Sequence, residues 1–354
     1  MSNFNVQQIL RENIKKLKPY EAVEIPCKIK LDANESPFPV KISQIVDDIN
    51  IPLNRYPDPE AIELRKQIAK KLKLKYKNIL IGNGSDEIIY YLILTFGGPV
   101  LYPVPTFAMY GIIAQSVGVN TIESGLDINF DLNENDFLSL IKEKKPSLIF
   151  LSSPNNPTGN TFSSDKILKI IDIARKTSSI VVVDEAYQPF CSEKGFLPFL
   201  KDFDNLLILR TFSKIGLAGL RIGYLIGNEE ILKEVSKVKL PYNVDSLTQF
   251  IAAKALNSFY DEIKTFIRDI KREREYLQRE LSKIRGIKVF PSEANFILFQ
   301  VKDSKNIYEK LIKEGILIRN LSSTIKGALR VTVGTKEENK TFIETIRKIL
   351  ENRK

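Results

Sequence analysis

The segment SIVVVDEAY, residues 179–187, decides the fold, because it joins an apolar strand directly to polar side chains. Its four consecutive β-branched residues predict a strand that is buried on both faces, as in a parallel sheet covered by helices. Folds of this kind bind their ligands at the carboxyl ends of the strands. Asp184, Glu185 and Tyr187 stand at this end of the predicted strand. We therefore expect this segment to contribute to a functional site.

Further apolar runs repeat the pattern along the chain. We predict strands at NILIGNG (78–84), SLIFLSS (147–153), NLLILRTF (205–212) and RIGYLIG (221–227). Helical stretches lie between them, at 85–96 and 163–176. Their alternation predicts an α/β domain with a mainly parallel sheet.

The last third of the chain predicts a second, smaller α/β domain. A helical region covers roughly 246–284, and it is followed by the apolar runs ANFILFQV, GILIRN and ALRVTV with helices near 304–314 and from 336. We therefore divide the chain into an N-terminal arm, a large domain, and a small domain made of two segments. The expected ranges are 1–30 for the arm, 45–255 for the large domain, and 31–44 with 256–354 for the small domain.

The composition restricts the possible chemistry. None of the 354 residues is histidine, which excludes imidazole bases, histidine metal ligands and Ser-His-Asp triads. Cys27 and Cys191 are isolated, so we expect neither a disulfide nor a metal site. No apolar run approaches a membrane span, and the first residues lack a signal-peptide core. We expect a cytoplasmic protein without a membrane partner.

The net charge of +10 comes from 53 basic and 43 acidic side chains. Such an excess is compatible with nucleic acid or with anionic small molecules. The basic residues are interleaved with acids, as in KREREYLQRELSK, residues 271–283. This pattern is typical of solvated helix faces.

Four polar segments lie at predicted strand ends: GNGSDE (82–87), SPNNPTG (153–159), DEAY (184–187) and TFSK (211–214). The first places glycines before a helix N-terminus, which suits an anion, although it is also an ordinary turn and helix cap. Asp184 needs a cation if its strand is buried, although it could also cap the next helix. Lys214 is a candidate amine nucleophile, although most lysines lie on the surface. Their order and spacing together are more specific than any one of them.

That order resembles the signature of the fold-type-I pyridoxal-phosphate aminotransferases over nearly the whole chain. The resemblance implies a large mainly parallel-sheet α/β/α domain, a smaller α/β domain and pyridoxal 5′-phosphate as the cofactor. It implies that Lys214 holds the cofactor as a Schiff base and that Asp184 pairs with its pyridine nitrogen. It further implies that Asn156 and Tyr187 contact the ring oxygen and that Tyr110 stacks on the ring. Lys214, Asp184 and Tyr187 are then the expected catalytic residues.

The resemblance also implies a phosphate-binding group. Its members are Gly84, Ser85, Asp86, Thr211, Ser213 and Arg221. In one respect the sequence departs from the family, because Arg221 lies seven positions after Lys214 in SKIGLAGLR, whereas many members have eight. We expect the glycine-containing turn between them to absorb the difference.

Other segments narrow the resemblance to the histidinol-phosphate aminotransferase family. They are KPY (18–20), LDANE (31–35), RYPDP (55–59), PYN (241–243), ANF (294–296) and LRVTVGT (329–335). The resemblance implies a homodimer with shared active sites, in which Tyr56 reaches the cofactor phosphate of the neighbouring subunit. It implies a substrate site made of Tyr20, Asn34, Asn243, Arg319 and Arg330. For Tyr20 core packing is the alternative, and for Arg319 a salt bridge at the rim.

The implied reaction converts L-histidinol phosphate and 2-oxoglutarate into imidazole-acetol phosphate and L-glutamate. Two alternatives from similar proteins stay open, a threonine-phosphate decarboxylase and a broad-specificity aromatic aminotransferase. A third alternative is a DNA-binding regulator built on an aminotransferase-like domain. Residues 1–40 are too short for the usual helix-turn-helix module, so we expect no nucleic-acid partner.

Overall fold

The computed structural model describes residues 4–19, 25–40 and 49–351. Tyr20 lies outside the described residues. The strands are β1 Ile29–Leu31, β2 Ile79–Asn83, β3 Val100–Val104, β4 Thr121–Gly125, β5 Leu148–Ser152, β6 Ile180–Asp184, β7 Leu206–Thr211, β8 Ile222–Ile226, β9 Ile287–Val289, β10 Phe296–Val301, β11 Ile316–Asn320 and β12 Ala328–Thr332. The α-helices are α1 Glu12–Lys15, α2 Ile62–Leu72, α3 Gly84–Phe96, α4 Met109–Val117, α5 Glu134–Lys144, α6 Ser164–Lys176, α7 Glu229–Ser236, α8 Ser246–Ser258, α9 Tyr260–Ser282, α10 Ser304–Lys313 and α11 Lys336–Glu351.

In the described part of the chain, seven strands form a central sheet in the order β2-β8-β7-β6-β5-β3-β4. Alternate residues of β6 enter two different cores: Val181 and Val183 pack on one side and Val182 on the other. This burial on both faces is what the apolar run predicted, and it confirms the mainly parallel α/β architecture.

Strand β8 runs antiparallel to both of its neighbours, β2 and β7. Strand β8, the predicted run at 221–227, is therefore an exception in a sheet that is mainly parallel, as predicted. The reason is the length of the connection. β7 ends at Thr211 and β8 begins at Ile222, whereas a parallel crossover needs a dozen or more residues, usually with a helix. The chain instead turns back beside β7, and this turn carries Lys214.

A second sheet has the order β1-β11-β12-β10-β9 in the described residues. It has its own core, which helix α9 joins to the core of the central sheet. Ile263 of α9 packs in the large core, and Ile270 and Leu277 pack in the small one. We propose that the large domain ends within α9, beyond the boundary at residue 255 that the sequence suggested. No helix in the described ranges is long and apolar enough to cross a membrane; the cytoplasmic location stays a prediction.

Candidate active site

The polar segments predicted from the sequence meet at one edge of the central sheet. Strands β5, β6 and β7 are parallel neighbours that end at Ser152, Asp184 and Thr211. Strand β2 runs in the same direction, because both β2 and β7 are antiparallel to β8. Its carboxyl end therefore lies at the same edge and leads directly into helix α3. The topology thus brings the four segments together, as the parallel-sheet rule requires.

Asp184 is a buried carboxylate with two hydrogen-bond donors. The Tyr110 hydroxyl donates to Oδ2 at 2.7 Å, and the Ala186 backbone N–H donates to Oδ1 at 3.0 Å. Burial raises the pKa of Asp184 to about 6, and the two donors and Lys214 act in the opposite direction. A buried ionised carboxylate costs desolvation free energy unless a cation faces it. Asp184 is therefore suited to bind a protonated nitrogen.

Tyr110 has no exposed surface, and its ring stacks on Phe150 with centroids 4.7 Å apart. Burial is the main cause that raises the pKa of its hydroxyl well above the usual value, and the negative charge of Asp184 adds to it. The hydroxyl therefore stays protonated and donates to Asp184. A residue that covers a cofactor needs an exposed ring face. Because the Tyr110 ring is buried, its position suits a hydrogen bond to Asp184 better than the stacking on the cofactor ring that the resemblance implied.

Lys214 follows β7 and is half-buried, with Nζ 5.8 Å from the centre of the Tyr187 ring. Tyr187 packs edge-on against Phe296 of β10, and its hydroxyl accepts a hydrogen bond from Asn34 Nδ2 at 2.9 Å. The expected catalytic residues Lys214, Asp184 and Tyr187 thus lie in one neighbourhood. The amine, the phenol and the carboxylate come from two adjacent strand ends.

A buried ion pair beside this neighbourhood was missed by the sequence reasoning. Arg210 donates through Nε and Nη2 to one Glu185 oxygen, at 2.9 and 2.7 Å, and the Phe196 N–H donates to the other at 2.6 Å. Burial lowers the pKa of Arg210, but Glu185 and the Tyr224 hydroxyl together outweigh this effect, and the pKa is raised overall. The pair ties the end of β6 to β7 one residue after Asp184. The only sequence signal was the second acid of the DEAY segment.

A cationic pocket surrounds the start of helix α3. Gly84 has φ of 81°, a left-handed conformation that favours glycine, and Arg221 lies so near that a Cβ atom here would stand 2.6 Å from Nη2. The guanidinium also lies 3.5 Å from the Ser213 hydroxyl and 3.6 Å from the Asp86 carboxylate. The Thr211 and Ser213 hydroxyls are 2.9 Å apart. Helix dipole, guanidinium and hydroxyl groups together suit a dianionic phosphate.

The shorter spacing between Lys214 and Arg221 does not keep this arginine away. Gly216, with φ of 99°, and Arg221 itself, with φ of 52°, both adopt left-handed backbone conformations in the turn. This conformation costs a non-glycine residue free energy and is tolerated where the surroundings require it. We propose that these left-handed residues allow the turn to absorb the missing residue.

The small sheet brings Arg330 of β12 to the same edge. Its Nη1 donates to Asn156 Oδ1 at 2.6 Å, and its Nη2 donates to the Asp32 carbonyl at 2.8 Å. Arg319 of β11 stands directly opposite Arg330 in the antiparallel register. Two like charges in opposite positions destabilise a sheet unless an anion compensates them. The pair is therefore a candidate anion site.

The remaining predicted residues occupy different environments. Asn34 is buried, with 1 % of its surface exposed. The half-buried Asn243 amide donates to Glu87 at 2.6 Å. Tyr56 is 82 % exposed and stacks on Tyr242, with ring centroids 4.6 Å apart. Contact of Asn243 with substrate and contact of Tyr56 with a second subunit stay predictions.

The donor set fits pyridoxal 5′-phosphate group by group. Asp184 suits the pyridinium nitrogen, and the Lys214 amine suits the aldehyde carbon. Asn156 and Tyr187 offer hydrogen-bonding groups for the ring oxygen. The pocket at Gly84 and Arg221 provides the cationic surroundings that the phosphate needs. None of these requirements conflicts with the residues present.

Comparison with known proteins agrees with this geometry. Residues 27–346 match the family model "Aminotransferase class I and II". A histidinol-phosphate aminotransferase of Caldanaerobacter subterraneus is 43% identical over 98% of this chain and 99% of its own. The crystal structure of a histidinol-phosphate aminotransferase from Clostridium acetobutylicum superposes with a TM-score of 0.86, at 28% identity, over 92% of this chain and 99% of its own. An L-threonine-O-3-phosphate decarboxylase from Porphyromonas gingivalis shares the fold at 24% identity and a TM-score of 0.79, over 91% of this chain and 99% of its own.

The fold and the site thus define a fold-type-I α/β protein with a pocket for pyridoxal 5′-phosphate. The chain belongs to the aminotransferase class I and II family. Enzymes of this family depend on pyridoxal 5′-phosphate, which is therefore the cofactor of this chain.

Proposed function

We propose that this enzyme transfers the amino group of L-histidinol phosphate to 2-oxoglutarate, giving imidazole-acetol phosphate and L-glutamate. The observation that carries the proposal is the pairing of Arg319 with Arg330 across strands β11 and β12. Both substrates bring an anionic group to this position, a phosphate ester in one and a carboxylate in the other. A planar guanidinium can bind either through two parallel hydrogen bonds. The 43% identity to a histidinol-phosphate aminotransferase over nearly the full chain supports the same substrate.

The cofactor, when bound, supplies a conjugated ring that delocalises the negative charge developed at the substrate α-carbon. Asp184 would hold a proton on the ring nitrogen, because an ionised carboxylate in a buried position stabilises a facing cation. The two hydrogen bonds to Asp184 keep it ionised against the effect of burial. Tyr187 would bind the ring oxygen through its hydroxyl.

Lys214 is proposed to move the proton during the reaction. Its amine lies 5.8 Å from the centre of the Tyr187 ring, and its charge helps to keep Asp184 ionised. A neutral amine at this position can remove the proton of the substrate α-carbon, and an ammonium can return it to the neighbouring atom. The absence of histidine from the sequence leaves lysine as the natural base.

The proposed assembly is a homodimer with shared active sites. Tyr56 presents a large aromatic ring to solvent beside the exposed Tyr242, and Leu240 is 63 % exposed in the same segment. Exposed apolar groups that lie together mark interaction surfaces. We therefore propose that Tyr56 completes the phosphate site of a second copy of the chain.

A titration tests the substrate. Histidinol phosphate added to the cofactor-loaded enzyme without 2-oxoglutarate is expected to convert the absorbance band of the lysine-bound cofactor to that of its amine form. Threonine phosphate should release no carbon dioxide, and phenylalanine should react more slowly at equal concentration. Carbon dioxide release from threonine phosphate would assign the chain to the decarboxylases instead. Faster turnover of phenylalanine would assign it to aromatic aminotransferases.

A further inference from the structure

The sequence suggested Asn34 as a substrate-binding residue, but each polar group of this buried residue has a partner within the protein. Its N–H donates to Thr332 Oγ1 at 3.0 Å, and its carbonyl accepts from Asn295 Nδ2 at 2.9 Å. The side-chain Oδ1 accepts from Thr332 Oγ1 at 3.3 Å, and Nδ2 donates to the Tyr187 hydroxyl at 2.9 Å. We propose that Asn34 is a positioning residue that acts through Tyr187 and fixes the direction in which the Tyr187 hydroxyl donates its proton.

The hydrogen bonds favour one orientation of the Asn34 amide. The Thr332 hydroxyl accepts from the Asn34 backbone N–H, so its own hydrogen is available for Oδ1. The amide NH₂ group then faces Tyr187. The backbone of Asn34 has φ of 54°, a left-handed conformation that asparagine tolerates better than most residues. The residue type thus suits both the backbone and the hydrogen bond.

The direction of this bond has a chemical consequence for Tyr187. Its oxygen accepts a hydrogen from Asn34, so its own hydrogen must point elsewhere. Because the proposed function places the ring oxygen of the cofactor beside Tyr187, this hydrogen is available to that oxygen. A hydroxyl that accepts one hydrogen bond also becomes a stronger donor in the next. The inference therefore rests on the proposed function and on the contact between Tyr187 and the ring oxygen.

The arrangement also links the two sheets. Asn34 follows β1, and its partners Thr332 and Asn295 lie at β12 and just before β10. Tyr187 instead follows β6 of the central sheet. The small sheet thus determines the hydrogen bonding of a tyrosine that belongs to the large one.

The test measures the proton affinity of the Schiff base between Lys214 and the cofactor. The absorbance of this Schiff base changes with pH, so the titration needs no turnover. A hydrogen bond donated to the ring oxygen withdraws negative charge, and less charge beside the Schiff-base nitrogen lowers its pKa. Tyr187→Phe is expected to raise the midpoint of the spectral titration by about 1 pH unit, or about tenfold in proton affinity. Asn34→Gly should raise it by roughly half as much in pH units. Glycine keeps the left-handed backbone while it removes the amide.

The double variant identifies the route of the effect. Asn34→Gly is expected to add no further shift in the Tyr187→Phe background, because the residue through which it acts is gone. An equal shift in both backgrounds would overturn the inference, as would an Asn34→Gly variant whose only defect is a higher KM for histidinol phosphate. If Tyr187→Phe leaves the midpoint in place, the proposed cofactor contact itself fails. If Tyr187→Phe moves it and Asn34→Gly does not, only the inference about Asn34 fails.

Thr332→Val gives a second variant should Asn34→Gly not fold. Valine suits a strand and keeps the shape of threonine, but it removes the hydroxyl that orients the Asn34 amide. The expected result is a smaller upward shift of the same midpoint, again absent in the Tyr187→Phe background. A Thr332→Val variant that titrates like the wild type in the folded state would contradict the proposed orientation of the amide.

Discussion

The Nη1 atom of Arg330 lies 2.6 Å from Oδ1 of Asn156. This bond connects strand β12 of the small sheet to the loop after strand β5 of the central sheet. The residue proposed to bind the substrate anion is thus in contact with the residue proposed to bind the cofactor ring. An anion that takes up hydrogen bonds from Arg330 would change the hydrogen bonding of Asn156. Substrate binding and the state of the cofactor ring are therefore expected to be coupled.

Arg330→Ala is expected to impair both half-reactions, because each substrate brings an anion to this residue. Loss of a desolvated, charge-assisted contact should cost roughly 2–5 kcal/mol of transition-state binding. Single-turnover rates with glutamate and with histidinol phosphate measure the two losses separately. Arg330→Lys serves as the matched control, because it keeps the charge and loses the planar fork; it should recover part of each rate. Unchanged rates in the alanine variant would remove Arg330 from the site.

Asp184→Asn should slow turnover severely while it stabilises the cofactor-free protein at alkaline pH. Burial raises the folded-state pKa of Asp184 to about 6. A carboxyl group whose pKa is raised on folding binds more protons in the folded state, so it destabilises the fold above pH 6 and ceases to do so below its unfolded pKa. The substitution should raise the free energy of unfolding by about 1–3 kcal/mol at pH 8, and this increase should vanish near pH 4.

Urea unfolding of the cofactor-free variant at pH 8, 6 and 4 measures this gain. Asp172→Asn is the control, because the bond to Lys176 is the main cause that lowers the pKa of Asp172. That exposed residue should show no gain at pH 8. An Asp184→Asn variant with wild-type turnover would exclude the residue from the mechanism.

Tyr110→Phe should shift the acid limb of the pH–rate profile toward higher pH. Burial raises the pKa of Asp184, and the hydrogen bond from Tyr110 is the largest effect that opposes this. Without the hydroxyl the pKa rises further, so protonation of Asp184 begins at higher pH as the solution is acidified. The alkaline limb should not change. Phenylalanine retains the aromatic ring, so a residue that served only by stacking would give an unchanged profile.

The secondary structure could be predicted where the local pattern was strong. The apolar runs that became β5, β6 and β7 were recognised because both of their faces are buried. Strand β3 was missed because its run is interrupted by Pro103, and β4 because it is a polar strand at the sheet edge. The direction of β8 could not be predicted, because the apolar pattern does not show which way a strand runs. The length of the turn before it was the better signal.

The candidate site was predictable in its residues and less so in their contacts. Strand ends that share one edge bring Asp184 and Lys214 together whatever the details of packing. The bond from Tyr110 to Asp184 spans 74 residues, and the bond from Asn34 to Tyr187 spans 153. Such contacts depend on how two separate parts of the chain pack, which no local pattern records. Family resemblance alone therefore assigned Tyr110 and Asn34 to direct ligand contacts.

Mixed dimers test whether Tyr56 completes a neighbouring site. A chain with Lys214→Ala and a chain with Tyr56→Phe are each expected to be nearly inactive as homodimers. In a heterodimer both lesions fall into one site, and the other site is intact. Since random exchange makes about half of the dimers mixed, the mixture should recover about a quarter of the wild-type activity.

Tyr76→Phe provides the matched control for this mixture. Tyr76 is also exposed, but its ring packs beneath the guanidinium of Arg65 rather than against Tyr242. Its homodimer should be fully active, and mixing it with Lys214→Ala should only dilute that activity. If subunit exchange is demonstrated and the Tyr56→Phe mixture recovers nothing, Tyr56 does not act across the interface. A fully active isolated monomer would contradict the shared site more directly, because every group needed for catalysis would then belong to one chain.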